Sequence, residues 1–183
     1  MPNTKRPNTQ SAGLKRFAHP WGWFLLAAVV IVLDQWSKAA ATAGLTYGRP
    51  VEVTWFFDLT LLHNHGAAFS FLSDAGGWQR WFFTGIALFM SIAITIWLLR
   101  IARERWLEAA ALGFVLGGAV GNLIDRLRFG YVVDFISVHY KNSYFPAFNL
   151  ADSAICFGAF LMIVYMLFFQ DDSATKSGEQ NNA

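Results

Sequence analysis

Two carboxyls in this chain sit in surroundings that differ sharply: Asp134, in Val133-Asp134-Phe135, and Asp152, in Asn149-Leu150-Ala151-Asp152. Asp134 is flanked by apolar residues on a short extended segment, and burial there raises a carboxyl's pKa and keeps it protonated. Asp152 follows Pro146 and stands three residues after Asn149, the spacing of a capping box with Asn149 as N-cap and Asp152 at N3. A helix dipole favours a carboxylate at that position. Capping alone would account for Asp152. Two carboxyls whose environments separate their pKa values are nevertheless the usual general acid/base pair. Such a pair can take up a proton at one carboxyl and give one up at the other.

Other polar residues occur at telling spacings. Asp34 and Lys38 are i, i+4 and share a helix face, where they can pair. A structural or site-supporting role suits this pair better than direct catalysis. Gly113, Gly117, Gly121 and Asp125 recur every four residues, with Gly118 and Asn122 on the adjacent stripe. Small residues at that spacing let a neighbouring helix approach closely, which turns Asn122 and Asp125 toward protein. Arg126 beside Asp125 reads as an interfacial ion pair. Asn64 to Phe69, with Gly66, reads as a loop with a glycine turn. His63 and His65 form an H-x-H pair on that loop and His139 lies on another segment, without a third ligand in a defined place, so no metal or other cofactor is expected. The single Cys156 has no nearby base, and Ser70 and Ser137 lack a nucleophile-elbow context.

The elements that must hold these residues are membrane helices. Of 183 residues, 55% are hydrophobic, 17% aromatic and only 14% charged, and the mean hydropathy is +0.37. Soluble domains run nearer a quarter charged. The net charge of +2 is too small to suggest a nucleic-acid partner. Apolar runs long enough to cross a bilayer cover about 21–43, 81–99, 106–127 and 148–170. The first has a rival reading as a cleaved signal, because basic residues precede it and Ala39-Ala40-Ala41 resembles a cleavage site. Asp34 and Lys38 interrupt its apolar core, so it is read as a retained helix. The expected fold class is therefore membrane α-helical, a four-transmembrane-helix bundle with small outer β-like or loop segments at 44–79 and 129–147. Residues 1–20 read as a flexible cytoplasmic arm, 21–170 as one four-span domain, and 171–183 as a disordered cytoplasmic tail. Four spans place both termini on one side. Lys5, Arg6, Lys15, Arg16, Arg100, Arg103 and Arg105 fall on that side, which the positive-inside rule makes cytoplasmic.

At about 1.5 Å rise per residue, Asp34, Lys38, Asp125 and Asp152 all fall toward the outer ends of their spans, with Asp134 between them. Ionisable groups in or beside a membrane span mark function by default. An alternative is a small ion- or proton-coupled transporter or channel using Asp34, Lys38 and Asp125. The wholly apolar second span and the gathering of charge at one interface speak against it. A purely structural scaffold is a third reading.

Four blocks match a known family: Asp34-Gln-Trp-Ser-Lys38; Asn64-His-Gly-Ala-Ala-Phe69; Gly118-Ala-Val-Gly-Asn-Leu-Ile-Asp-Arg126 with Gly130-Tyr-Val-Val-Asp-Phe135; and Phe148-Asn-Leu-Ala-Asp152. The chain resembles lipoprotein signal peptidase (signal peptidase II), a bacterial membrane aspartyl protease, in block order and span number across residues 34–152. The resemblance implies cleavage of the signal peptide from diacylglyceryl-modified prolipoproteins, before the lipidated cysteine, in the bacterial inner membrane. It implies Asp134 and Asp152 as the catalytic pair. Asp34, Lys38, Asn64, Gly66, Asn122, Asp125, Arg126 and Asn149 would support the site or bind substrate. Membrane lipids and the cyclic-peptide inhibitor globomycin are implied as further partners.

Overall fold

A computed structural model describes residues 20–66, 78–101 and 105–169. The basic arm, the polar tail, Ala67 to Ser70 and Arg103 lie outside the described residues. Four long apolar helices form the bundle: α1 (Pro20–Gly44), α2 (Trp78–Arg100), α3 (Trp106–Arg128) and α4 (Leu150–Phe168). All four are long and apolar enough to cross a membrane. Four strands make one small antiparallel sheet in the order β1 (Val51–Thr54), β2 (Phe57–Asn64), β3 (Val132–Tyr140) and β4 (Ser143–Tyr144). Because β3 follows α3 and leads into α4, while β1 and β2 follow α1, the sheet lies at one end of the bundle.

Helix α3 is the most buried of the four and packs against the other three. Its glycines explain how. A Cβ at Gly117 would stand 2.6 Å from Val30 Cβ, and one at Gly113 would stand 3.2 Å from the Trp23 carbonyl, so this stripe receives α1. A Cβ at Gly118 would overlap the Ala151 carbonyl, and one at Gly158 would stand 2.6 Å from the Ala111 carbonyl, so the adjacent stripe receives α4. The absent side chains let backbones touch, which is where close van der Waals packing between membrane helices originates.

Two expectations about element ends are corrected. The fourth helix does not begin at Phe148. That residue is extended, and its backbone exchanges hydrogen bonds with Ile136 on β3 (Phe148 N–H to Ile136 O, 3.0 Å; Ile136 N–H to Phe148 O, 2.9 Å). The helix starts at Leu150, after Asn149. His63 and Asn64 were expected on a loop and instead close strand β2, paired with Val133 and Val132. The ladder to β3 wins over the loop-forming tendency of Asn, because it satisfies backbone groups that would otherwise be buried unpaired.

Candidate active site

The site is assembled where β3, the start of α4 and the ends of α1 and α3 meet. The expected capping box is present in full: Asn149 Oδ1 accepts the Asp152 N–H at 2.9 Å, and Asp152 Oδ2 accepts the Asn149 N–H at 3.3 Å. Asn149 is fully buried. Its amide nitrogen donates to Asp134 Oδ1 at 2.7 Å, with Asn122 Oδ1 and the Val133 carbonyl each at 3.2 Å. One side chain therefore caps the helix that carries Asp152 and holds the carboxyl of Asp134.

Asp134 lies opposite Leu62 on β2 and is 2% exposed. Its other oxygen accepts from Asn64 Nδ2 at 3.0 Å. Asn64 is held in turn by the Gly66 N–H, which donates to its Oδ1 at 2.9 Å. Gly66 has φ +107°, and a Cβ there would overlap the Phe83 ring, so both conformation and space require glycine. Burial, and then the charge of Asp152, push the Asp134 carboxyl up to about 7.

Beneath this pair lies a buried cluster from α1 and α3. Lys38 Nζ is 2.9 Å from Asp34 Oδ2, 3.0 Å from Asp125 Oδ2 and 2.9 Å from Asn122 Oδ1, so each ammonium proton has one acceptor. With its oxygen committed to Lys38, Asn122 presents its nitrogen to Asp152 Oδ1 at 2.7 Å. Asp34 Oδ1 accepts the backbone N–H of Ala151 at 2.9 Å, and Asp125 Oδ2 that of Val133 at 3.1 Å. The groups weighed as an ion path, Asp34, Lys38 and Asp125, are paired with one another.

The sequence-predicted residues Asp34, Lys38, Asn64, Asn122, Asp125, Asp134, Asn149 and Asp152 thus form one continuous hydrogen-bonded network. Arg126 behaves differently. It makes no ion pair with Asp125 among the described residues, because successive helical residues point about 100° apart and Asp125 is taken by α1. Its guanidinium instead donates to the Asn122 carbonyl at 3.3 Å and lies over the Phe83 ring at 5.9 Å. Its charge interacts with that of Asp152, then Asp134, and least with that of Asp125. Gln35 was not singled out. Its amide nitrogen contacts Asp125 Oδ1 at 2.8 Å, Asp34 Oδ2 at 3.2 Å and the Gly121 carbonyl at 3.2 Å. Its place between Asp34 and Lys38 was the available signal, since an amide on a membrane helix needs partners.

Asp134 and Asp152 both line a cavity of about 710 Å³, whose wall includes Leu62, Phe145, Phe148 and Cys156. His63 and His65 are at the same cavity. His63 stacks on Tyr131 at 3.9 Å, and burial followed by the neighbouring His65 pulls its pKa below the usual imidazole value. His139 lies apart, 3.4 Å from Asp58. Among the described residues no group of three His, Cys, Asp or Glu is placed to hold a metal ion.

A helical membrane protein with two carboxyls lining one apolar cavity has the parts of an aspartic-type hydrolase. A family model described as signal peptidase (SPase) II matches residues 26–168. The chain is 52% identical over 166 residues to a lipoprotein signal peptidase of Acinetobacter baumannii, covering 90% of this chain and 94% of the relative. It is 53% identical over 160 residues to one of Cellvibrio japonicus, covering 87% and 92%. A solved structure of a bacterial membrane enzyme, determined by the in meso method at 2.3 Å, superposes with a TM-score of 0.71 at 32% identity, covering 84% of this chain and 90% of that one. The chain belongs to the signal peptidase II family. It is a multi-pass inner-membrane hydrolase of the aspartic type that cleaves the signal peptides of lipoproteins.

Proposed function

We propose that Asp134 and Asp152 are the catalytic dyad and that the scissile bond precedes a diacylglyceryl-modified cysteine. The observation that carries this reading is the single buried amide of Asn149, which bonds Asp134 and caps the helix turn of Asp152 at a shared cavity. Asp134 holds its proton near neutrality. Asp152, at a helix N-terminus and facing the Asn122 amide, is the carboxylate partner. Asp152 takes a proton from water as the water oxygen attacks the carbonyl carbon, while Asp134 gives its proton to the carbonyl oxygen. The neutral tetrahedral adduct then returns a hydroxyl proton to Asp134. Asp152 delivers its proton to the nitrogen as the C–N bond breaks, which frees the cysteine amine and restores both carboxyls.

In this reading the four helices form one unit over residues 21–170, with both termini cytoplasmic and the site near the outer face. The basic arm (1–20) and polar tail (171–183) remain in the cytoplasm. The signal helix lies against the bundle while the two acyl chains stay in lipid, and a globomycin-type cyclic peptide competes for the cavity. The test is incubation of the purified protein in proteoliposomes with a lipid-modified precursor. A clipped product whose new N-terminus is the lipidated cysteine is expected, and Asp134→Asn or Asp152→Asn should abolish it while leaving the protein inserted. Processing by either variant would overturn the dyad.

A further inference from the structure

Each of the two supporting carboxylates holds the residue immediately before a proposed catalytic aspartate. Asp34 accepts the N–H of Ala151, one residue before Asp152, at 2.9 Å. Asp125 accepts the N–H of Val133, one residue before Asp134, at 3.1 Å. The spacing of these two carboxylates is therefore transmitted through backbone to the pair above them. Two donors from a single turn of α1 set that spacing: Lys38 Nζ, at 2.9 and 3.0 Å from Asp34 and Asp125, and Gln35 Nε2, at 3.2 and 2.8 Å.

The two donors do different work. Lys38 neutralises charge and spends its third proton on Asn122. Gln35 has no charge to offer. Asp125 Oδ1 receives the shorter of its two carboxylate contacts, and Asp125 is 1% exposed, so water cannot readily replace that donor. Gly121 is the reason that α1 can come so near, since a Cβ there would stand 2.6 Å from Asp34 Oδ2.

We propose that Gln35 is a positioning residue for hydrolysis: by bridging Asp34 and Asp125 it fixes the separation of Asp134 and Asp152. The proposal rests on those two being the dyad. It assigns no contact between Gln35 and substrate. Loosening the bridge lets the two backbone clamps drift apart, which weakens the influence of Asp152 on Asp134 and misaligns the proton transfers. The charged and titratable groups around Asp134 are Lys38 from α1, Asp125 and Arg126 from α3, Asp152 from α4, and His63 and His65 from the β2 segment. Of these, only Asp125 is touched by Gln35, and the substitutions leave every one of these residues in place.

The experiment compares Gln35→Met, which keeps length without a donor, and Gln35→Asn, which keeps the amide one methylene shorter. Cleavage of a lipid-modified precursor is followed by steady-state kinetics across pH. Expected for Q35M is a fall in kcat of about tenfold or more with KM within about twofold, as the part-buried amide bridge to Asp34 and Asp125 is lost. Its alkaline limb should also move to lower pH, and Q35N should fall between Q35M and the parent. Should Q35M fail to fold, Q35N gives the same two readings. A parental kcat and pH profile in a folded variant would overturn the proposal, as would a rate lost only in proportion to folded protein with the profile unmoved. Asp134→Asn and Asp152→Asn are assayed alongside. Activity in either of those fails the dyad itself, whereas two inactive dyad variants with unaffected Gln35 variants fail the bridge alone.

Discussion

Asp34 on α1 accepts the backbone N–H of Ala151 at 2.9 Å, and so caps a helix that begins more than a hundred residues later. Helix N-termini leave their first N–H groups without intrahelical partners. In α4 the third is taken by Asn149 and the second by Asp34. The start of α4, and with it the position of Asp152, is thereby defined from another helix. Asp34 is fully buried and can serve as this cap only because Lys38 compensates its charge.

Lys38→Met should accordingly be among the most damaging single changes outside the dyad. It leaves Asp34 and Asp125 buried without their shared cation and frees the Asn122 oxygen. Removing one partner of a buried ion pair costs about 3–5 kcal/mol. The expected result is a lower midpoint of thermal unfolding in detergent together with loss of cleavage. Adding Asp34→Asn to the same chain should recover part of the thermal loss, because it removes one orphaned charge.

The glycines of the bundle give an internal contrast. A methyl group at Gly118 would collide with the backbone carbonyl of Ala151, so α4 must move. Overpacking of this kind costs about 1–3 kcal/mol, and here it also displaces the turn bearing Asp152. At Gly85, also helical, nothing lies within 4 Å of the added Cβ. Gly118→Ala should lower both thermal stability and kcat, whereas Gly85→Ala should leave kcat unchanged and stability equal or slightly higher. Equal behaviour of the two would show that close α3–α4 contact does not set the site.

Asn149 joins two duties that substitution can separate. Asn149→Asp keeps an oxygen that can cap Asp152 N–H but replaces the donor to Asp134 with a second carboxylate. Asn149→Ala loses both, including a cap worth about 1 kcal/mol. Both variants should lose cleavage. Thermal unfolding should fall further in N149A if capping dominates, and further in N149D if carboxylate repulsion beside Asp134 dominates, so the pair measures which interaction holds the α4 entrance.

Much of this arrangement was legible in the residues alone, for identifiable reasons. Membrane helices announce themselves by length and apolarity, and the four spans needed no partner to be recognised. The Asn149–Asp152 capping box and the Asp34–Lys38 pair are local, within four residues, and both were read correctly. The glycine stripes pointed to close helix contact, which α1 and α4 supply. What failed was long-range. The partner of Asp125 is Lys38, not the adjacent Arg126, because helix geometry turns neighbours apart and only the fold brings α1 alongside. Gln35 carried no charge and drew no notice, although it joins two carboxylates on different helices. The end of β2 was misread because Asn64 is a turn former by itself, and its pairing with Val132 belongs to a strand nearly seventy residues away.

The pH dependence of both activity and stability should trace to Asp134. Its carboxyl rises from the ordinary 3.8 to about 7, chiefly through burial and then through Asp152. In the proposed mechanism it must be protonated, so kcat should fall as pH rises through about 7. Stability follows the same proton. The folded pKa lies above the unfolded one, so the folded state binds more protons between those values, and stability present at low pH is lost as pH climbs through the folded pKa. At about 1.4 kcal/mol per pH unit over that window, the loss is on the order of 4 kcal/mol. Asp134→Asn cannot ionise and should escape it. The new amide nitrogen would face the Asn64 donor, a lost hydrogen bond worth about 1 kcal/mol. Unfolding midpoints measured from pH 4 to 9 should therefore show the variant equal to or below the parent at pH 4 and above it at pH 9, with the crossing below pH 5. A parental stability curve as flat as that of Asp134→Asn would mean that Asp134 does not hold a proton near neutrality, and the assignment of acid and base would have to be exchanged.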